Sequence, residues 1–199
     1  LLISEQGLGD TIQFSRYAKV VRELGANVIL EIQPALMPLL GQLDGIKVLS
    51  RGTSLPPYDY YCPLMSVPCV LKTDIHNIPA PCDLSPVRPD QSARWSALLP
   101  NDSRPKIGIV WSGNAGHLDD YKRSMSLQTF SHLLSPGLDW ISLLKDVRDS
   151  DKAQLTELVR TKRLTDYSMH QHDFSDAVAM CKSLDLVITV DTSLAHLAG

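Results

Sequence analysis

A chain of 199 residues, 44% hydrophobic and 21% charged, holds enough apolar material for one large domain or two small ones and lacks the composition of a disordered chain. Its formal net charge of −3 is evenly spread, with 8 basic and 9 acidic side chains in residues 1–95 and 11 and 13 in residues 96–199. No basic face arises to meet nucleic-acid phosphates, and no apolar run approaches the roughly 18–20 residues that cross a bilayer, so both of those classes are excluded.

The chain starts on a short apolar strand, Leu1–Ser4, followed by the turn Glu5-Gln6-Gly7-Leu8-Gly9-Asp10. A helix is predicted from Thr11 to Leu24, because Phe14, Tyr17, Ala18, Val21 and Leu24 recur at helical spacing. Gly25 should end it. A second strand over Asn27–Ile32, a short helix over Pro34–Leu40 and a third strand over Ile46–Leu49 follow, with Tyr58–Cys62 a candidate fourth strand. Strand and helix alternating in this way imply a parallel sheet covered by helices on both faces.

Six of the thirteen prolines fall between Asp74 and Pro105, which favours an extended connection with a short helix at about Gln91–Leu99. The alternation then restarts with a strand at Lys106–Trp111, a helix at Leu127–Leu134, a strand at Trp140–Leu144 and a helix at Ser150–Arg160. Asp173 is placed to cap a helix running to Ser183, and the apolar strand Leu186–Val190 leads into Asp191-Thr192-Ser193-Leu194-Ala195-His196. The expected organisation is therefore an amino-terminal domain over residues 1–73, a proline-rich linker over 74–105 and a second α/β domain over 106–199. The chain opens on Leu1 without Met and stops at Gly199 just after a helix start, so the second domain is expected to be truncated.

Cys62, Cys69, Cys82 and Cys181 fit no zinc spacing and are expected to be reduced thiols of a cytoplasmic protein. Three loops carry candidate chemistry, each at the carboxyl end of a strand, where open α/β sheets bind ligands. The glycines Gly7 and Gly9 let a ligand approach the first loop, where Asp10 is either a general base or simply a helix cap. In the last loop Asp191, Thr192, Ser193 and His196 open a helix, whose amides and hydroxyls suit an anion. The third, Trp111-Ser112-Gly113-Asn114, runs on to Lys122 and Arg123, with Lys145 expected at the same edge. Other patterns fail. Ser112 lacks the glycines of a nucleophile elbow, His170 and His172 make no metal motif, and no Walker sequence is present.

Taken together, Glu5 through Phe14, Trp111-Ser112-Gly113-Asn114, Arg123-Ser124 and Asp191 through Gly199 resemble the heptosyltransferase-related glycosyltransferases. They are most similar to the subgroup found behind tetratricopeptide repeats in bacterial proteins, which Pro56-Pro57-Tyr58-Asp59 and Cys62 through Ser66 also resemble. The resemblance implies the GT-B architecture, two Rossmann-like domains, the first for the acceptor and the second for a nucleotide-sugar donor. It further implies inverting transfer with no cofactor and no essential metal. Asp10 would be the catalytic base, Asp191, Thr192 and His196 the donor-site residues and Arg123 the phosphate-binding cation; Ser112, Asn114, Lys145 and Ser193 join them as donor candidates by their place at the strand ends. The heptosyltransferases usually have glycine where this chain has Ser193.

The expectation from sequence is an enzyme moving a sugar from an ADP- or UDP-linked donor to a glycan or protein hydroxyl. Two other readings stand beside it: a non-catalytic binding or scaffold module that keeps the fold, and a nucleotide-sugar epimerase on the same fold.

Overall fold

The computed structural model describes residues 1–82 and 89–199, which form two compact units. The centre of the proline-rich connection, residues 83–88, lies outside the described residues.

In the first unit four strands make a parallel sheet, β1 (Leu2–Ile3), β2 (Ile29–Ile32), β3 (Lys47–Ser50) and β4 (Cys62–Pro63), in the order β3-β2-β1-β4. The register sets Leu2 beside both Leu30 and Cys62. Between β1 and β2 the chain is helical from Leu8, three residues earlier than the periodicity suggests, and the single expected helix is two: α1 (Leu8–Phe14) and α2 (Arg16–Glu23). They part at Ser15, whose buried hydroxyl donates to the Ile12 carbonyl at 2.8 Å in competition with the helical ladder. Gly25 ends α2 with φ +97°, a left-handed conformation that suits glycine. A 3₁₀ turn at Pro34–Leu36 runs into α3 (Met37–Leu40), and another at Leu64–Ser66 runs into α4 (Val67–Val70). Leu30, Ile32, Leu36, Leu40 and Ala18 are wholly buried between these layers.

The second unit begins with α5 (Pro89–Leu98) and repeats the same topology. Its strands β5 (Lys106–Val110), β6 (Asp139–Ser142), β7 (Thr165–Asp166) and β8 (Leu186–Thr189) lie parallel in the order β7-β6-β5-β8. Helices α6 (Asp120–Arg123) and α7 (Leu127–Phe130) follow β5, and α8 (Asp149–Arg160) follows β6. After β7 comes α9 (Phe174–Cys181), and β8 leads to α10 (Ser193–Ala198). In each unit the first strand of the sequence has its successor on one side and the last strand on the other. The chain's direction across the sheet therefore reverses beside β1 and beside β5, and crevices open at the carboxyl ends of such strands.

Strand alternation divides the second core into two layers. Ile107, Ile109 and Trp111 pack with Leu127, Phe130, Leu155 and Leu158 on one face. Val110, Ile141 and Leu143 pack with Trp95, Leu99, Ala179 and Met180 on the other. A Cβ on Gly108 would come within 2.5 Å of Leu184 and 2.8 Å of Leu143, so any larger residue here would have to displace both leucine side chains.

Asp176, in the first turn of α9, secures α5 to the unit. Its buried carboxylate accepts from Gln91 Nε2 at 2.7 Å, Arg94 Nη2 at 2.5 Å, Trp95 Nε1 at 2.9 Å and the His172 amide at 2.7 Å. Burial pushes this carboxyl upward, and those donors outweigh it and hold it below the ordinary carboxylate range. Asp151 does the same for the other face, taking Trp111 Nε1 at 2.9 Å and the Leu127 amide at 3.1 Å.

Candidate functional site

In the first unit, β1 ends at Ile3 and the turn Ser4–Gly7 carries the chain into α1. Asp10 is the third residue of that helix, and its Oδ2 accepts from the Gly7 amide at 2.9 Å, one half of a capping box. Gly7 has φ −68°, so its backbone makes no demand for glycine; the missing side chain matters because a Cβ there would stand 3.1 Å from Asp10 Oδ2. Gly9 lies inside the helix. The Asp10 Oδ1 atom has no hydrogen-bond partner among the described residues. Two neighbours hold the turn in place. Gln33, just past β2, donates to the Gln6 carbonyl at 2.9 Å, and Arg51, just past β3, donates to the Ser4 carbonyl and to Ser4 Oγ at 3.0 Å. Asp10 thus stands at the carboxyl edge, in the first turn of a helix whose entry is tied down from the ends of β2 and β3, on one side of β1.

In the second unit the loop after β5 holds Ser112, Gly113 and Asn114. Ser112 is 1% exposed, and its hydroxyl has no partner among the described residues. Asn114 closes its own turn, with Oδ1 accepting from the Gly116 amide at 2.9 Å. The loop is packed against α6 so closely that a Cβ on Gly113 would come within 2.7 Å of Asp120 Oδ1 and 2.9 Å of Arg123 Nη2.

Asp120 is the hub of this region. It is 5% exposed and is met by Arg123 Nε at 3.3 Å, by Ser124 Oγ at 3.0 Å and by Arg148 Nη2. Burial raises its pKa, but Ser124, Arg148 and Arg123 together hold the carboxyl below its ordinary value. The Arg148 Nη2 atom also donates to the Gly113 carbonyl at 3.3 Å and to Ser124 Oγ at 2.9 Å, and the Gly113 amide donates to that same hydroxyl at 2.9 Å. One buried carboxylate therefore faces two guanidinium groups, and the cluster carries an excess positive charge.

Arg123 joins this cluster to the last loop. Its Nη1 donates to the Asp191 carbonyl at 2.9 Å, across 68 positions of sequence, while Nη2 has no partner among the described residues. Ser112, Gly113, Arg123 and Asp191 are thereby gathered at the carboxyl ends of β5 and β8. The remaining candidates are arranged around that point. Thr192 is the cap residue of α10, with its hydroxyl 3.4 Å from that of Thr189, and Ser193 is the first helical residue. His196 follows in α10, half-buried. Lys145 goes elsewhere: past the end of β6, its ammonium donates to the His172 carbonyl at 2.7 Å, in the loop before α9.

Sequence reasoning missed Asp120, Arg148 and Arg51. The two that pair, Asp120 and Arg148, are 28 positions apart on different connections, and no spacing rule links them. The one available signal was place, because Arg148 stands at the same strand end as Lys145. Among the described residues no group of three or more His, Cys, Asp or Glu side chains could hold a metal ion. Their helices include none long and apolar enough to cross a membrane, and all four cysteines are free.

No family model matches the sequence, and no curated protein matches it. Solved structures do match in fold. The bacterial iron-containing dodecameric glycosyltransferase TibC from enterotoxigenic E. coli is 14% identical, with a TM-score of 0.65, over 99% of this chain and 54% of that one. A second TibC structure, in complex with ADP-D-beta-D-heptose, matches at 14% identity and TM-score 0.63, over 99% and 55%. The E. coli ADP-heptose lps heptosyltransferase II matches at 13% identity and TM-score 0.61, over 99% of this chain and 80% of that one. The chain spans about half the length of TibC. Its two parallel four-stranded sheets with their helices have the α/β fold of the GT-B heptosyltransferases. At these identities the likeness is one of fold, and the iron belongs to the description of TibC.

Proposed function

We propose that the chain works as an inverting glycosyltransferase that moves a sugar from a nucleoside-diphosphate donor to an acceptor hydroxyl. The observation that carries this reading is the arginine-rich cluster at the carboxyl ends of β5 and β8, where Arg123 bridges α6 and the Asp191 turn. Sugar transfer separates charge: a proton leaves the acceptor while negative charge gathers on the departing diphosphate. A guanidinium fork matches diphosphate oxygens in geometry and sign, and fixed charges aimed at a developing anion lower the barrier. Arg123 Nη2 is the donor left to do this; the Ser112 hydroxyl, in the loop after β5, and the Thr192 and Ser193 amides, which follow Asp191, are the further donors of this reading.

Asp10 serves as the base in this reading. Its Oδ2 is held by the Gly7 amide, which fixes the carboxylate, and Oδ1 is left to take the acceptor's proton as attack on the anomeric carbon begins. Such a base accounts for roughly 10²–10⁴-fold in rate. The donor is ADP- or UDP-linked, and the acceptor is a glycan or protein hydroxyl. TibC, which shares the fold, has been captured with ADP-D-beta-D-heptose, and that supports the ADP arm. In this reading the polypeptide supplies positive charge to the leaving group through Arg123, without a cofactor.

The test is product analysis on the full chain with ADP- and UDP-sugars and a panel of acceptors. Nucleoside diphosphate released together with an inverted glycoside supports transfer. A sugar epimerised without acceptor would make the chain an isomerase. A binding module without catalysis is favoured by one observation, the engagement of Asp10 in its own helix cap, and would release nothing.

A further inference from the structure

The guanidinium that the reading above assigns to the diphosphate is not held by its own surroundings alone. Arg123 has three donor edges, of which Nε meets Asp120 and Nη1 meets the Asp191 carbonyl. A carboxylate beside an arginine ordinarily takes two parallel N–H bonds from it, because the fork and the carboxylate match. That pairing would consume Nε and Nη2 together and neutralise the charge. Here Asp120 is prevented from claiming both. Its Oδ2 is occupied by Arg148 and its Oδ1 is shared between Arg123 Nε and the Ser124 hydroxyl. Arg148 is itself anchored by the Gly113 carbonyl and Ser124 Oγ, and its Nε is buried without a partner among the described residues.

We propose that Arg148 and Asp120 are positioning residues: they hold the Arg123 guanidinium edge-on, tied to the Asp191 carbonyl, with Nη2 left for the anion. This inference rests on the transferase reading only for the identity of the anion. Arg148 acts by denying Asp120 a second bond to Arg123, not by touching the ligand. Removing it leaves Asp120 still paired with Arg123 and Ser124, so the fold keeps a partner for the buried carboxylate.

Two measurements test the proposal. In the crystal structure of Arg148→Ala, Arg123 is expected to rotate into a two-bond pair with Asp120 and to release the Asp191 carbonyl. Finding Arg123 still on that carbonyl overturns the proposal, whatever the chain binds. Calorimetric titration with ADP, UDP and inorganic pyrophosphate supplies the second. Arg148→Ala is expected to weaken binding at least tenfold in the wild-type background and less than twofold in an Arg123→Ala background. Asp120→Asn, which keeps the side chain's shape, should show the same dependence on Arg123. Equal losses in both backgrounds would mean that Arg148 contacts the anion itself, and would overturn the positioning role. If none of the three probes binds the wild-type chain, the transferase reading fails, and the position of Arg123 in the variant crystal still decides the proposal.

Discussion

Arg123 donates through Nη1 to the main-chain carbonyl of Asp191 at 2.9 Å, fastening the connection after β5 to the connection after β8. Both loops lie where the chain's direction across the sheet reverses, so this bond joins the two connections that flank the edge where open α/β sheets bind ligands. A side chain to main-chain bond of this sort depends on the arginine and not on which residue stands at position 191. Asp191→Asn should therefore leave nucleotide affinity within about threefold, and Arg123→Ala should reduce it by ten- to a hundredfold, the ~1.5–3 kcal/mol of a hydrogen bond to a charged group. Calorimetry on the two variants checks this directly.

Gly113 is predicted to be intolerant of the smallest addition. A methyl group there would meet Asp120 Oδ1 at 2.7 Å and Arg123 Nη2 at 2.9 Å, distances at which something has to move. The expected outcome for Gly113→Ala is a loss of about 1–3 kcal/mol in stability from overpacking, together with weakened nucleotide binding. Urea unfolding and titration on the same protein separate the two effects. A Gly116→Ala control, where the nearest contact is 3.3 Å to the Asn114 amide oxygen, should bind normally.

Asp10 caps α1, and a single substitution can separate that duty from the proposed one as base. Asp10→Asn keeps an oxygen to accept from the Gly7 amide, so α1 should stay capped and thermal unfolding should shift little. Transfer should nevertheless fall by roughly 10²–10⁴-fold if the carboxylate is the base. Asp10→Ala should lose the cap as well, at a further cost of about 1 kcal/mol. Full activity in Asp10→Asn would remove Asp10 from the chemistry.

The Asp176 carboxylate should be an acid-labile element of the second unit. Its folded pKa lies below the ordinary value of about 3.9, so the stability it contributes is complete above that pH and is lost as pH falls through the folded pKa. Asp176→Asn is expected to destabilise the protein by about 1.5–3 kcal/mol at pH 7 through its lost charged bonds. The gap between variant and wild type in urea unfolding should close as the pH falls below the ordinary carboxylate range, through the lowered folded pKa. A gap that stays constant with pH would mean that the charge contributes nothing.

Much of this architecture was legible in the sequence because its signals are local. Strand–helix alternation, the capping Asp173 and the terminating Gly25 each depend on a few adjacent residues, and Asp173 does accept from the Ser175 amide at 2.8 Å. The parallel sheets followed from apolar strands separated by helices. The two-residue strand β7 was too short to show a period, and the break at Ser15 came from a hydroxyl turned back on its own helix. At the candidate site, strand ends correctly located the loops, since any residue just past a parallel strand lies at one edge. Partnerships were another matter. Lys145 shares that edge yet pairs with His172, and Arg148, three positions later, joins Asp120. Which of two neighbouring cations enters the cluster is decided by packing across connections, and no pattern along the chain records it.

The most direct test of the account is calorimetric titration of ADP, UDP and GDP, with NAD as control, into the full chain and its Arg123→Ala variant. The account predicts that one nucleoside diphosphate binds selectively, that NAD does not, and that the variant weakens the bound nucleotide at least tenfold. Absence of any nucleotide binding to the wild-type protein, or binding indifferent to Arg123, would contradict it.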